Sequence, residues 1–186
     1  MNEYQQREHD LKLECIRELN LLSAYKFELK NENDNEVIRL AGDAPVYVRA
    51  KDYTGKYSFG LWYSLPFIQY ETYKAEAAKH TQPNLIGVLS GKKIGAWVEY
   101  LTAIYTRLEI ISQEREQAVN IFLAEMREAG AVLNEEHKTG QLEKNGLIFT
   151  FEIHKEGYIS KNIEVSYAVN DTLENFTRLA DNKYQK

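Results

Sequence analysis

A long proline-free stretch, from about Lys93 to Ala129, constrains the fold of this chain more than any other segment. Its apolar residues recur at steps of three and four, the spacing that is typical of a helix. Twelve of the eighteen residues Ile94–Ile111 are apolar and three are charged, whereas six of eighteen are charged in Ser112–Ala129. Because a helix that is apolar nearly all round must be covered nearly all round, we expect its first half to be buried.

The first half of this helix can be covered in two ways, by a partner or by the rest of the chain. If the rest of the chain cannot enclose it, Trp97, Tyr100 and Ile104 are left outside the core. Exposed aromatic-rich patches of that kind mark interfaces, so these three residues would form a protein-binding or self-association surface. The alternative is a central core helix, because a domain of 186 residues is large enough to enclose one.

Local signals indicate where the long helix begins and ends. Ser90-Gly91 opens it, and Gly130 is its stop signal. Ser112, followed by two nearby glutamates, is a candidate internal N-cap at which the helix could break.

The segments on either side of the long helix alternate between apolar and polar residues, which indicates strands. An N-terminal helix is predicted over residues 3–23, and a second, short helix over Tyr70–His80. The strands predicted between these two helices are Tyr25–Leu29, Glu36–Leu40, Pro45–Ala50 and Tyr57–Ser64, with a polar turn at 31–35 and another at Asp52–Gly55. After the long helix, strands are predicted at Gln141–Glu143, Leu147–Ile153 and Ile159–Val169.

The predicted fold class is therefore α+β. An N-terminal helix with an antiparallel β-meander precedes the long central helix, and a second antiparallel β-meander and a short C-terminal helix follow it. The last helix begins at the capping-box-like Asp171 and carries Leu173, Phe176 and Leu179. We predict a single domain, 1–186, with a weak internal duplication of segments 3–64 and 113–169 as one interpretation; helix-then-meander is also a common order that recurs by chance.

Composition excludes several classes of protein. The single Cys15 forbids an internal disulfide, and the first five residues have neither the basic start nor the apolar segment of a secretion signal. No run approaches the roughly 18 to 20 apolar residues that a membrane span requires, so we expect a cytoplasmic protein without a membrane partner. The net charge of −5 argues against nucleic acid as a partner. The alternative is base stacking on the aromatic residues of two predicted strands, which are Tyr47, Tyr57, Phe59 and Tyr63 and are interleaved with Arg49, Lys51 and Lys56.

The stretch Gly87–Lys93 invites comparison with a phosphate-binding loop, but the match fails twice. Such a loop has four residues between its glycines and a hydroxyl residue after the lysine, whereas this stretch has three, and Lys93 stands in the hydroxyl position. Lys92 and Lys93 nevertheless lie at a helix N-terminus, where the helix dipole disfavours cations unless an anion is bound. We therefore predict an anion-binding role for both lysines; a solvated helix start is the alternative.

The sequence predicts no catalytic residue, no metal ligand and no cofactor site. Cys15 lies mid-helix among apolar neighbours and near acidic residues, so we interpret it as a core residue. The four histidines show none of the spacings of metal sites. Glu76 and His80, four residues apart, are interpreted as a surface pair.

These exclusions favour a non-catalytic protein that binds another protein or itself. An assembly component, an adaptor and a stoichiometric inhibitor of the immunity type, encoded by a phage or mobile element, all have this profile. The alternative is an enzyme or a small-ligand-binding domain, whose site would be assembled from loop carboxylates with His80 and His154.

Overall fold

The order of helices and strands follows the predicted α+β arrangement. The structure is a computed structural model that describes residues 3–32, 35–42, 45–136 and 138–165. Helices α1, α2 and α3 cover Glu3–Leu22, Tyr70–Ala77 and Gly91–Glu128. Strands β1 to β4 cover Phe27–Glu32, Asn35–Leu40, Val46–Arg49 and Ser58–Leu61, and β5 to β8 cover Val132–Asn134, Thr139–Lys144, Leu147–Ile153 and Ile159–Val165. The fold class is confirmed; the predicted C-terminal helix lies outside the described residues.

The chain divides into two compact units, Met1–Ile111 and Ser112–Lys186. Each unit contains an antiparallel sheet of four strands in consecutive order, β1-β2-β3-β4 in the first and β5-β6-β7-β8 in the second. A helix precedes the four strands in both units. The single domain and the internal duplication both stay predictions, because a shared order of elements also arises without a common origin.

In unit 1, α1 and α3 supply the helical side of a core whose other side is the first sheet. Alternate residues of the strands are buried, as expected for a sheet with one face inward, and Ile38 and Val48 are paired across β2 and β3. Cys15 and Leu19 are the buried residues of α1, so the interpretation of Cys15 as a core residue is confirmed. The helical residues of the same cluster are Cys15, Leu19, Ile94, Trp97, Val98 and Leu101.

The first half of α3 is buried along one stripe rather than nearly all round. The fully buried positions of α3 in unit 1 include Ile94, Leu101, Ile104 and Leu108, which follow the helical spacing. Ala96 and Ala103 are exposed. The prediction of cover on nearly all sides is wrong here, because alanine exposes little apolar area and tyrosine can keep its hydroxyl in water while its ring is half-buried.

Gly91 allows the start of α3 to approach the last turn of α1, whereas Gly95, one helical turn later, is not required for this approach. A methyl group added at Gly91 would lie 2.1 Å from the carbonyl oxygen of Leu22, and one at Gly95 would lie 3.8 Å from the ring of Tyr25. The first distance is impossible for a real side chain, whereas the second is an ordinary contact. The start of α3 can therefore lie against the last turn of α1 only with glycine at position 91.

Unit 2 is organised around an aromatic pair. Phe122 of α3 meets Phe151 of β7 edge to face, with ring centroids 4.8 Å apart. Phe151 in turn lies over Gly140 of the neighbouring strand, where a methyl group would be 2.2 Å from the ring. Such an aromatic pair contributes about 0.5–1.5 kcal/mol beyond the area it buries.

The predicted helices and strands that fall on described residues are present, with ends that differ in most cases by one to three residues. Helix α3 runs unbroken from Gly91 to Glu128, so the break allowed at Ser112 does not occur. Strand β1 begins two residues later than predicted, because the Asn20 side chain hydrogen-bonds both the backbone N–H and the carbonyl of Phe27. Strand β5 was not predicted, since three residues are too few for alternation to be visible. No helix among the described residues has the length and apolarity needed to cross a bilayer.

We predict opposite effects for the two glycines of α3. Gly91→Ala should lower the free energy of unfolding by about 1–3 kcal/mol, the usual cost of forcing a methyl group into a packed site. Gly95→Ala should raise it by up to about 1 kcal/mol, because alanine is the better helix former and the space is available. Chemical denaturation followed by tryptophan fluorescence measures both; a stabilised Gly91→Ala protein would show that α3 does not approach α1 this closely.

Candidate functional site

Two of the three residues predicted to bind protein lie in the core of unit 1. Trp97 is 6% exposed and stacks on Phe59 at 5.9 Å between ring centroids. Ile104 is fully buried and packs with Ile68 and Leu108. A partner could contact either side chain only after this core had opened. At both positions the structure therefore agrees with the alternative of a central core helix. The binding role assigned to them stays a prediction.

Tyr100, the third of these residues, is half-buried and lies between other aromatic rings. It meets Trp97 edge to face at 5.6 Å and His80 edge to face at 6.3 Å. Burial raises the pKa of the Tyr100 hydroxyl, so the ring stays neutral at physiological pH. The indole N–H of Trp97 is buried and has no hydrogen-bond partner among the described residues, an arrangement that costs free energy.

The two lysines predicted to bind an anion lie at the start of α3 and differ in their surroundings. The Lys93 ammonium donates a hydrogen bond to the carbonyl oxygen of Ile86 in the preceding loop. Lys92 is exposed. The carbonyl of Leu22, which lies against Gly91, brings the negative end of one helix dipole to the positive end of another. Anion binding by both lysines stays a prediction, with Lys92 the more accessible of the two.

Three aliphatic side chains near this helix start face solvent. Leu21, Ile86 and Val88 are 87%, 82% and 88% exposed. Leu21 precedes Leu22, whose carbonyl lies against Gly91, and Ile86 is tied to α3 by Lys93. Both contacts are made by residues of the first turn of α3, and we call the three exposed residues Leu21, Ile86 and Val88 the aliphatic surface.

A polar cluster links α1 to the segment between β3 and β4. The carboxylate of Glu18 accepts a hydrogen bond of 2.5 Å from the hydroxyl of Tyr57 and forms an ion pair with the ammonium of Lys51. The same ammonium lies 5.5 Å from the centroid of the Tyr57 ring. Tyr57 was one of the aromatic residues that could have stacked nucleic-acid bases, but it is buried and contacts Glu18 instead.

The protonation states of this cluster favour a structural role over acid–base chemistry. Its hydrogen bond to Lys51, and then that to Tyr57, lower the pKa of Glu18. Burial, and then the contact with Glu18, raise the pKa of Tyr57. A carboxylate with a lowered pKa accepts protons poorly, and a tyrosine with a raised pKa releases its proton poorly. The cluster therefore holds one charge pair and one neutral hydroxyl across a wide range of pH.

The interpretation of Glu76 and His80 as a surface pair is wrong. Glu76 is buried and forms its ion pair with Lys79, while His80 packs against Tyr100. The fold places α2 against other elements of unit 1, so the carboxylate cannot remain on the surface. His154 lies in unit 2, where its ring stacks on Tyr158 at 4.1 Å.

No group of three or more histidine, cysteine, aspartate or glutamate side chains is placed to hold a metal ion within the part of the chain that the structure describes. Comparison of the chain with family models, with curated proteins and with solved structures gave no match.

We predict that Glu18 stabilises the fold in a pH-dependent way. Because its pKa is lowered by folding, its contribution is present above the unfolded-state pKa of about 4.3 and is lost as the pH falls through the folded-state value. Glu18→Gln should therefore be less stable than the wild type at pH 7, and the difference should shrink under acidic conditions. Denaturation curves across pH measure this, with the exposed Glu99→Gln as control; a difference that is constant with pH would contradict the prediction.

Proposed function

We propose that this chain is a non-catalytic protein that works by binding another protein through the aliphatic surface of unit 1. The observation that carries the proposal is the exposure of Leu21, Ile86 and Val88, each more than four-fifths accessible to water. Single exposed aliphatic residues are common on monomers. Three of them in one part of a small unit are characteristic of an interaction site.

Burial of these three side chains against a partner would contribute favourably to the free energy of binding. A fully buried leucine, isoleucine or valine contributes about 1.5–3 kcal/mol relative to an exposed one, and part of that gain offsets the entropy lost on association. Leu21 lies in the last turn of a helix, and the loop carbonyl of Ile86 is held by Lys93. Anchors that are already held in place lose less freedom on binding.

The chemistry of the partner follows from the charge beside this surface. Lys92 is exposed at the start of α3, so an apolar partner surface with an acidic rim fits best. In this proposal the predicted anion for the lysines is a carboxylate of the partner. The narrower roles of adaptor, assembly component, and phage or mobile-element inhibitor of the immunity type differ only in which partner is bound.

Self-association is the form of this proposal in which the partner is a second copy of the chain. Light scattering on a size-exclusion column across dilution distinguishes it from binding to another protein. If the partner is a second copy, the mass of the wild-type protein falls on dilution. A variant of the aliphatic surface then has the mass of a monomer at every concentration.

The alternative of an enzyme or small-ligand-binding domain would need His80 or His154. Each ring already packs on a tyrosine, and a ring nitrogen of His154 also lies 2.9 Å from the hydroxyl oxygen of Ser160. We expect His80→Ala, His154→Ala and Cys15→Ala proteins to retain partner binding, provided that they fold. Loss of biological activity in a correctly folded His80→Ala or His154→Ala protein would favour the enzyme.

A double variant tests the proposed surface. Tagged wild-type protein and the Ile86→Glu/Val88→Glu variant are used to capture proteins from the native host, and each captured protein is quantified by mass spectrometry. We expect the partner to be reduced about tenfold or more, since two anchors worth at least 1.4 kcal/mol are lost. The partner is then purified, and its dissociation constant is measured for both proteins.

The matched control is Tyr53→Ser, which changes a fully exposed aromatic residue in the turn before β4. Its binding should equal that of the wild type, and both variants should keep their stability to within about 0.5 kcal/mol, as is usual for surface substitutions. If the double variant binds the purified partner as tightly as the wild type, the aliphatic surface is not the site.

A further inference from the structure

One face of the sheet in unit 2 is covered by α3 over only part of its length. Phe151 of β7 meets Phe122 of α3. Residues two apart on a strand share a face, so Phe149 and Leu147 lie on the same face as Phe151. Leu147 is nevertheless 46% exposed, and Ile163, which pairs with Phe149 on the neighbouring strand, is 65% exposed. Apolar side chains of this face are therefore accessible toward the start of β7.

The accessible side chains form an apolar row with a lysine on either side of it. The strand register places Leu142, Phe149 and Ile163 opposite one another on β6, β7 and β8. Because neighbouring strands lie about 4.8 Å apart, this row is about 10 Å across. On the same face, Lys144 lies in the row before it and Lys161 in the row after it, and both lysines are exposed. We call the four residues Leu142, Leu147, Phe149 and Ile163 the apolar patch.

Strand β8 ends beside the apolar patch. Its last residue, Val165, pairs with Leu147, which is the first residue of β7, so β7 has no further residue for pairing with the chain. Residues 166–186 lie outside the described residues. The five residues 166–170 separate β8 from Asp171, where a helix is predicted to begin, and a stretch of this length spans up to about 20 Å. The predicted helix can therefore reach all of the apolar patch.

The predicted C-terminal helix has the side chains that such a patch requires. Leu173, Phe176 and Leu179 recur at steps of three, which places them on one side of a helix. The charged residues of 171–181 are Asp171, Glu174, Arg178 and Asp181, so acidic residues outnumber basic ones. A helix of about ten residues is marginal in water on its own. A helix at this position therefore needs an apolar surface to pack against.

We propose that residues 171–180 dock on the apolar patch of their own chain as an amphipathic helix, with Leu173, Phe176 and Leu179 against the sheet. The two lysines beside the patch attract the acidic residues of the segment. The short connection to β8 gives the segment an effective concentration in the millimolar range, so it binds ahead of a second copy or a partner at micromolar concentration. The docked helix covers an apolar surface that would otherwise be open to association. The site lies in unit 2 and does not depend on the proposed protein-binding surface of unit 1.

Nuclear Overhauser effects in the full-length chain test the contact directly. The methyl groups of isoleucine and leucine and the rings of phenylalanine are labelled in a deuterated background. We expect Overhauser effects between the ring of Phe176 and the methyl groups of Leu147 or Ile163. The Phe176→Leu variant keeps an apolar side chain but has no ring, so it should lose these signals and shift the resonances of the two methyl groups.

Two outcomes of this measurement would overturn the proposal. The first is the absence of every signal that depends on the ring of Phe176. The second is found in a mixture of differently labelled chains, if the signals join different chains only, because a second copy would then be the occupant of the apolar patch.

Substitutions separate docking from an effect of charge. Leu173→Asp/Phe176→Asp should release the segment and raise the deuterium-exchange rates of the β8 amides about tenfold. The matched control is Arg178→Asp, which changes the net charge by the same amount on the opposite side of the predicted helix and should leave these rates unchanged. Equal rates in the double variant and the wild type, or an equal rise in both variants, would contradict the proposal. The Overhauser measurement on the wild type decides the question if the double variant fails to fold.

Discussion

The approach of the Leu22 carbonyl to Gly91 is the contact on which the arrangement of unit 1 depends. It brings the C-terminal end of α1 to the N-terminal end of α3, so that the opposite ends of two helix dipoles lie close together. The position of Gly95 one turn later leaves room for the ring of Tyr25. With both helices fixed at this point, the buried residues of α1 and α3 face the same side of the first sheet. The exposed Leu21 directly precedes Leu22 in the chain and therefore lies beside this contact.

The order of elements could be predicted from the sequence because it depends on local signals. The Asn145-Gly146 turn, for example, has positive φ at both residues, as a tight hairpin requires, and Gly130 ends α3 where the stop signal was predicted. The extent of burial could not be predicted in the same way. Counting apolar residues in α3 treated Ala96 like Ile94, although exposing a methyl group costs little, and so overestimated the cover that the helix needs.

The candidate sites were harder to predict than the fold because they depend on non-local contacts. Gly91 was interpreted only as the start of the long helix and as part of a failed phosphate-loop motif, so its close contact with the carbonyl of Leu22 was not predicted. Nothing near Glu18 in the sequence indicates Lys51 and Tyr57 as partners, since pairing of the strands brings them together. Strands β6, β7 and β8 were predicted from alternation, whereas β5, with only three residues, was not.

The two tryptophans confine the tryptophan fluorescence of the molecule to one of its two units. Both Trp62 and Trp97 lie in unit 1, and the chain has no other tryptophan. Trp97 is enclosed by Phe59 and Tyr100 and has a dry indole N–H, so it emits at short wavelength, while the half-exposed Trp62 emits further to the red. Tryptophan emission therefore reports on unit 1 alone, and quenching by a water-soluble agent such as iodide would separate its two components. Unit 2, by contrast, is visible only through its tyrosines and its backbone.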